Sequence, residues 1–278
     1  MNKFLFITHI TPTTKRSEFR QALIDVYFAA LRNQTYPDWK AIVFGEEEKV
    51  EDKFHYFTLA DESREKKFEA IKNLLQRAEV ESLLDEADYI IKLDDDDLIS
   101  PVLLEHLKNF KGDLYYDRFH TFFDSSSGVI TQQERQWVAS TCVHKKELIL
   151  SDWNGTGASP VGNLLYTDHS KAWHLFYGSK NKTAAPKESP VYLRILSPTS
   201  ITSGALNGPP QSIKDVTFDK YYEYLSGFGN WDPAPVHVFD PYLGSIAAAW
   251  QKFSGEKQKA LPSMKKKTPF LKKLFGKS

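Results

Sequence analysis

Short apolar runs that stop at polar loops, each followed by a stretch with helical spacing, most restrict the folds open to this chain. Phe4–Thr8 (FLFIT) is compact enough for a buried strand and ends in the loop HITPTTKRS. Glu18–Gln34 then carries Phe19, Leu23, Val26, Ala30 and Leu31 at helical intervals. TYPDW, with Pro37, is a turn into a second strand, Ala41–Phe44, which ends at Gly45 and three glutamates. His55–Leu59 reads as a third strand. Glu65–Ala78 reads as a helix with Phe68, Ile71, Leu74 and Leu75 on one face, and Tyr89–Leu93 as a fourth strand. Ser100 is placed to cap the next helix, with Pro101 at its first position. Strands alternating with helices imply an α/β chain, a mostly parallel Rossmann-like sheet flanked by helices. Such sheets bind ligands beyond the carboxyl ends of their strands, and the charged loops of this chain fall there.

The second half is less regular. Asp113–Tyr116, Thr121–Phe123, Gln136–His144 and Val191–Leu196 have strand character, and Ser125–Gly128 reads as a hairpin turn. Short helices are expected near Lys145–Leu150 and at His169–Tyr177. SDWNGTGASPVGN is a loop, and Pro198–Pro235 is mostly irregular. No internal repeat is visible. The expected organisation is a first half of one domain over residues 1–112, a second half over 113–255, and a basic amphipathic tail over 256–278.

Formal net charge is zero, but Glu256–Ser278 holds eight lysines against one glutamate. The remainder therefore carries an equal negative excess, a split that suggests an interaction tail. PFLKKLFGK is basic and amphipathic, suited to an anionic lipid surface, although a solvated tail has the same composition. An acidic body without a base-reading motif argues against nucleic acid. Cys142 is the single cysteine, so no intramolecular disulfide and no cysteine-based zinc site can form. The apolar start of MNKFLFITHI is cut off by His9 and TPTTKR, too short for a signal peptide, and no apolar run reaches transmembrane length. A cytoplasmic protein is expected, with any membrane contact peripheral.

The stretch YIIKLDDDDLISP is the most unusual. A buried strand runs into four consecutive carboxylates, Asp94–Asp97, whose charges repel. If extended geometry continued past Leu93, Asp94 and Asp96 would point together and Asp95 and Asp97 the other way. Two carboxylates on one side beyond a strand end suit Mg²⁺ or a similar oxygen-liking cation, which completes its shell with water and substrate phosphates. An acidic, solvated loop at a helix N-terminus explains the same residues without a ligand.

LRNQTYPDWKAIVFGEE followed by YIIKLDDDDLISPVLLEHL resembles the family 2 glycosyltransferases of the GT-A fold. There a helix ends in a pattern like S-L-x-x-Q-T-Y before a strand. A later strand ends in a DxD-type motif within LDxDD, followed by a P-x-x-L-E helix. The resemblance extends to about Phe110, and it is the two motifs together that are specific. It implies a metal-dependent, inverting transfer of sugar from a nucleotide-sugar, UDP- or GDP-linked, to a hydroxyl of a glycan or lipid-linked acceptor. On it, Asp94 and Asp96 match the metal-binding carboxylates for Mn²⁺ or Mg²⁺. Asp94 and Asp95 lie by the nucleotide, Thr11 and Pro12 run along the base, and Glu46 or Glu47 stands where the family places an acid near base or ribose. GEEEK replaces the usual D-D-G-S there. Asp97 matches a frequent extra acid.

The resemblance also implies a general base. LLYTDHSKAWHLF looks like the family's E-D pair ahead of an aromatic helix, with Thr167 replacing the Glu and Asp168 as base. Asp168 is equally a good helix N-cap. His169 and His174 would contact acceptor and Trp173 would form a sugar platform, each having a structural alternative. Lys67 reaches the nucleotide or is solvated. His144 and His237 are histidines that could complete a metal shell, without a supporting motif. Two other functions compete: a non-catalytic module with this fold, and a nucleotidyltransferase, disfavoured because HITPTTKRSE lacks the glycine-rich loop. Walker A, HExxH and GxSxG patterns are absent.

Overall fold

The computed structural model describes residues 1–59, 64–134, 142–151, 164–166, 180–197, 232–233 and 237–260. In strand β1 (Phe4–His9), Phe4 and Phe6 enter one apolar core and Leu5 and Ile7 another, as the period-two pleat requires. It pairs in parallel with β2 (Trp39–Gly45) on one side and with β5 (Tyr89–Lys92) on the other. β4 (Phe54–Thr58) extends the parallel set beyond β2, and the exposed β3 (Lys49–Glu51) pairs antiparallel at its edge. Beyond β5 lie β10 (Cys142–Lys145), antiparallel, then β7 (Leu114–Tyr116) and β11 (Lys182–Ala184). The order β11-β7-β10-β5-β1-β2-β4-β3 makes an eight-stranded sheet with a parallel centre, the expected α/β architecture.

Helices cover both faces. Tyr27 and Leu31 of α1 (Glu18–Arg32) and Leu103, Leu104 and Leu107 of α4 (Leu103–Leu107) meet Phe4, Phe6, Val43 and Ile91. On the other face, Ile71 and Leu75 of α2 (Arg64–Leu75) and Val80, Leu83 and Leu84 of α3 (Ala78–Glu86) meet Leu5, Ile7, Ile42 and Phe44. Ile149 of α5 (Lys146–Leu150) joins them. A second sheet, in order β13-β9-β8-β12-β6, is built from β6 (Asp97–Ile99), β8 (Phe119–Asp124), β9 (Val129–Glu134), β12 (Tyr192–Leu196) and β13 (Asp232–Pro233). Its core is shared with α1 and with α6 (Asp240–Ala260): Phe19 and Leu23 pack with Leu98, Leu193, Ile246, Trp250 and Phe253.

Several elements differ from the sequence reading. The helix expected over Glu65–Ala78 is α2, which ends at Leu75; after Gln76 and Arg77 comes α3, a helix the sequence reading did not anticipate. Arg77 is extended and offers no capping side chain. β3 was not anticipated: it is three residues long, and all three, Val50 included, are exposed. It joins β4 through Asp52 at φ 53°, a left-handed position that Asp tolerates. The helix expected to start at Pro101 under a Ser100 cap begins at Leu103, with Val102 before it and no side-chain cap. Instead, Asp97–Ile99 forms β6, Ser100 donates its N–H to Val191, and the Ser100 carbonyl accepts from Leu103. The hairpin turn at Ser125–Gly128 joins β8 to β9, with Gly128 at φ 74° and Asp124 accepting from Ser126 and Ser127. Most of Gln136–His144, most of the SDWNGTGASPVGN loop, the helix at His169–Tyr177, most of Pro198–Pro235 and the tail beyond Ala260 lie outside the described residues.

Candidate nucleotide and cation site

The four aspartates occupy the joint between the two sheets. β5 ends at Lys92, and Leu93 still donates to Ile7 across the sheet. The chain then turns, Asp97 N–H donating to Asp94 C=O at 3.2 Å, and enters β6 of the second sheet. The extended alternation expected past Leu93 is therefore replaced by a turn. It brings Asp95 and Asp96 to one cation, the guanidinium of Arg20 on α1, instead of sending them to opposite sides.

Each carboxylate has a distinct environment. Asp95 is buried; it accepts the Thr11 N–H at 2.7 Å and a guanidinium N–H of Arg20. Burial raises its pKa, opposed by Arg20 and the Thr11 donors and reinforced by Asp96. Asp96 is partly exposed on the other arm of the Arg20 fork. Asp97 is buried and receives the Tyr192 hydroxyl and the Ile195 N–H. Burial, then repulsion from Asp96, holds its carboxyl well above the usual range, while Arg194 pulls the other way. Asp94 is exposed to solvent although protein surrounds its carboxyl. Loss of surrounding water, then repulsion from Asp96, raises its pKa. Burial lowers the pKa of Arg20, but Asp96 and Asp95 more than offset this and raise it, so the guanidinium is charged.

Local sequence explains why Arg20 is there. Ser17 caps α1, its Oγ accepting the Arg20 N–H at 3.0 Å. Phe19 is buried, and the adjacent Arg20 reaches the aspartates. Arg20 Nε donates to Thr11 Oγ1 at 3.1 Å, and Arg16 Nε donates to the Thr11 carbonyl. Glu46 accepts the Thr13 N–H at 3.0 Å and the Thr13 hydroxyl at 3.0 Å, with Arg16 at 3.8 Å. Thr11, Glu46, Asp95 and Asp96 thus belong to one connected polar network at the carboxyl ends of β1, β2 and β5. Pro12 lies in its loop, opening a 3-10 turn at Thr13–Lys15. Glu47 is apart from it, exposed and paired with Lys49 at 2.9 Å.

Arg20 escaped the sequence reading because a helical arginine carries no motif; only its distance from the aspartates across the fold shows its role. His9 also escaped. It ends β1 with its ring 5.1 Å from Phe44, and its Nε2 makes no hydrogen bond among the described residues. Burial, then the positive charges of Lys67 and Lys92, hold it well below 6.5, so it is neutral at pH 7. Lys67 is therefore within electrostatic reach of the end of β1. His144 is buried in β10, and His237 is exposed beside Asp240 at 3.0 Å; neither stands in the aspartate network. Asp168, Thr167, His169, Trp173 and His174 lie outside the described residues.

Among the described residues no group of three or more His, Cys, Asp or Glu side chains gathers around one point. The donor set at the turn, Asp94 open and Asp96 partly open, nevertheless fits a hard dication that needs one or two carboxylates and takes its other ligands from water and a diphosphate.

Strand order and site together define an α/β protein whose acidic loop lies at the carboxyl ends of its central parallel strands. No protein-family model and no curated protein matches the chain. Among solved structures, Staphylococcus aureus TarS is similar at 12% identity and a TM-score of 0.42, over 97% of this chain and 46% of TarS. The glycosyltransferase GlyE of Streptococcus pneumoniae TIGR4 is 9% identical with a TM-score of 0.36, over 91% of this chain and 64% of GlyE. Mycobacterium tuberculosis Rv0371c, in a complex with manganese, is 9% identical with a TM-score of 0.33, over 81% of this chain and 99% of its own. The chain thus spans less than half of TarS and under two thirds of GlyE. At such scores, the topology and geometry described above carry the fold and the site.

Proposed function

We propose that the protein is a glycosyltransferase that takes a sugar from a UDP- or GDP-linked donor with the help of Mn²⁺ or Mg²⁺ and places it on a hydroxyl of a glycan or lipid-linked acceptor. The observation that carries this reading is the acidic turn. It stands at the carboxyl ends of parallel strands, where α/β sheets bind ligands, with Asp94 exposed and Asp96 partly exposed in its pair with Arg20, while Asp95 and Asp97 are buried.

Asp94 and Asp96 would hold the cation, which when bound supplies positive charge to the departing diphosphate. The chain's own residues do the rest. Thr11 and Pro12 line the nucleotide edge, and Glu46, held by Thr13 and Arg16, is the acid of GEEEK that turns toward that loop. Asp168 is assigned the proton of the acceptor hydroxyl as that oxygen attacks the anomeric carbon. Attack opposite the leaving group inverts the centre.

Calorimetric titration of UDP and GDP, with Mn²⁺ and then with EDTA, tests the reading. Binding of one nucleotide only with metal is expected; none under either condition would leave the non-catalytic module. Asp168→Asn separates the base from the nucleotide site: transfer should fall by about 100-fold or more while the nucleotide titration stays unchanged. Near-full activity in that variant removes Asp168 from the mechanism.

A further inference from the structure

We propose that Arg20 is a resident counter-ion that guards the acidic turn against free divalent cations, so that the cation enters together with the donor's diphosphate. The inference rests on the metal-dependent reading above and concerns a residue outside the DxD-type motif. The guanidinium spends Nη1 on Asp96, Nη2 on Asp95 and Nε on Thr11. It thereby takes one oxygen from each of two carboxylates and puts a full positive charge beside the place a cation on Asp96 would fill.

The backbone of Arg20 is anchored, so only its side chain is free to exchange partners. Its backbone N–H is held by the Ser17 cap, and its neighbour Phe19 is locked against Trp250 and Phe253, ring centroids 5.1 and 6.0 Å away. A dication arriving alone meets this charge and must break the fork to use both oxygens of Asp96. A dication arriving with a diphosphate brings compensating negative charge. The phosphate oxygens also offer the guanidinium the same planar, two-pronged geometry that the carboxylates gave it. Exchange of Arg20 from carboxylate to phosphate then opens Asp96 at the moment the donor binds.

The test reads free Mn²⁺ by electron paramagnetic resonance on the full chain, without nucleotide and with saturating UDP or GDP. The wild type should bind Mn²⁺ weakly alone and far more tightly with nucleotide, beyond what the Mn²⁺–nucleotide complex in solution accounts for. Arg20→Gln should bind Mn²⁺ alone about tenfold tighter or more, and Arg20→Lys, which keeps the charge, should stay near wild type. Arg32→Gln, on the same helix but paired with Glu51, should change nothing. Circular dichroism melts establish that each variant is folded. A folded Arg20→Gln with unaltered Mn²⁺ affinity overturns the guard and leaves the transferase reading standing. So does a wild type whose affinity is the same with and without nucleotide. Absence of Mn²⁺ binding in every form, nucleotide included, overturns both.

Discussion

Single carboxylates in this protein differ by what surrounds them. Asp96 is partly exposed and its partners are few, so Asp96→Ala should leave the fold intact and lower kcat/KM by about 100-fold or more, with loss of Mn²⁺-dependent nucleotide binding in the same titration. Asp117 is the opposite case. It is buried between β7 and β8, accepting N–H groups of Phe119 at 3.0 Å and Val191 at 3.1 Å. Burial pushes its carboxyl up to about 7 against the pull of those donors. A carboxyl raised in the folded state favours folding most while protonated. Its contribution is present in full below the unfolded value of 3.8 and is lost as pH rises through about 7. Its share of the unfolding free energy should therefore fall between pH 4 and 7 by an amount on the order of 4 kcal/mol, read as the pH dependence of the difference in urea midpoints between wild type and Asp117→Asn. A difference between the two proteins that is independent of pH, or that changes with the other sign, would falsify this assignment.

Elements show where local signals suffice and where they fail. α1 was legible because the apolar stripe and the loop before it agree, and β1, β2 and β5 were legible because a centrally buried parallel strand must be apolar on both faces. β6 was not: DLI beside ISP reads locally as a helix entry, and only antiparallel pairing with Tyr192–Arg194 makes it a strand. α6 was unrecognised although Tyr242, Ile246, Trp250 and Phe253 recur at helical intervals on its buried face, and its partner surface comes from α1 and the second sheet. Trp250 lies at that contact, 5.1 Å from Phe19 between ring centroids. Trp250→Ala should cost about 3–5 kcal/mol in urea denaturation. Because α1 also carries Arg20, the variant should loosen the acidic turn as well.

At the scale of the whole molecule, charge is divided between an acidic body and the lysines of Glu256–Ser278, a segment that begins within α6 and continues beyond the described residues. Among the described residues no helix is long and apolar enough to cross a membrane. Each lysine near an anionic lipid surface contributes about 1 kcal/mol, so truncation after Ala260 should abolish co-sedimentation with phosphatidylserine vesicles at low salt and leave nucleotide binding untouched. Equal sedimentation of both chains would remove the membrane role.

What the sequence alone determined was the α/β alternation and the clustering of acid at a strand end. These are local facts: burial on both faces demands apolar runs, and their ends must return to polar loops. Only the tertiary structure decided how the four aspartates divide. Thr11 and Tyr192 hold Asp95 and Asp97 inside, Arg20 ties Asp95 to the partly exposed Asp96, and Asp94 is left toward solvent. Those partners are distant in the chain, and adjacent identical carboxylates acquire different protonation and different work only from what folding sets beside each.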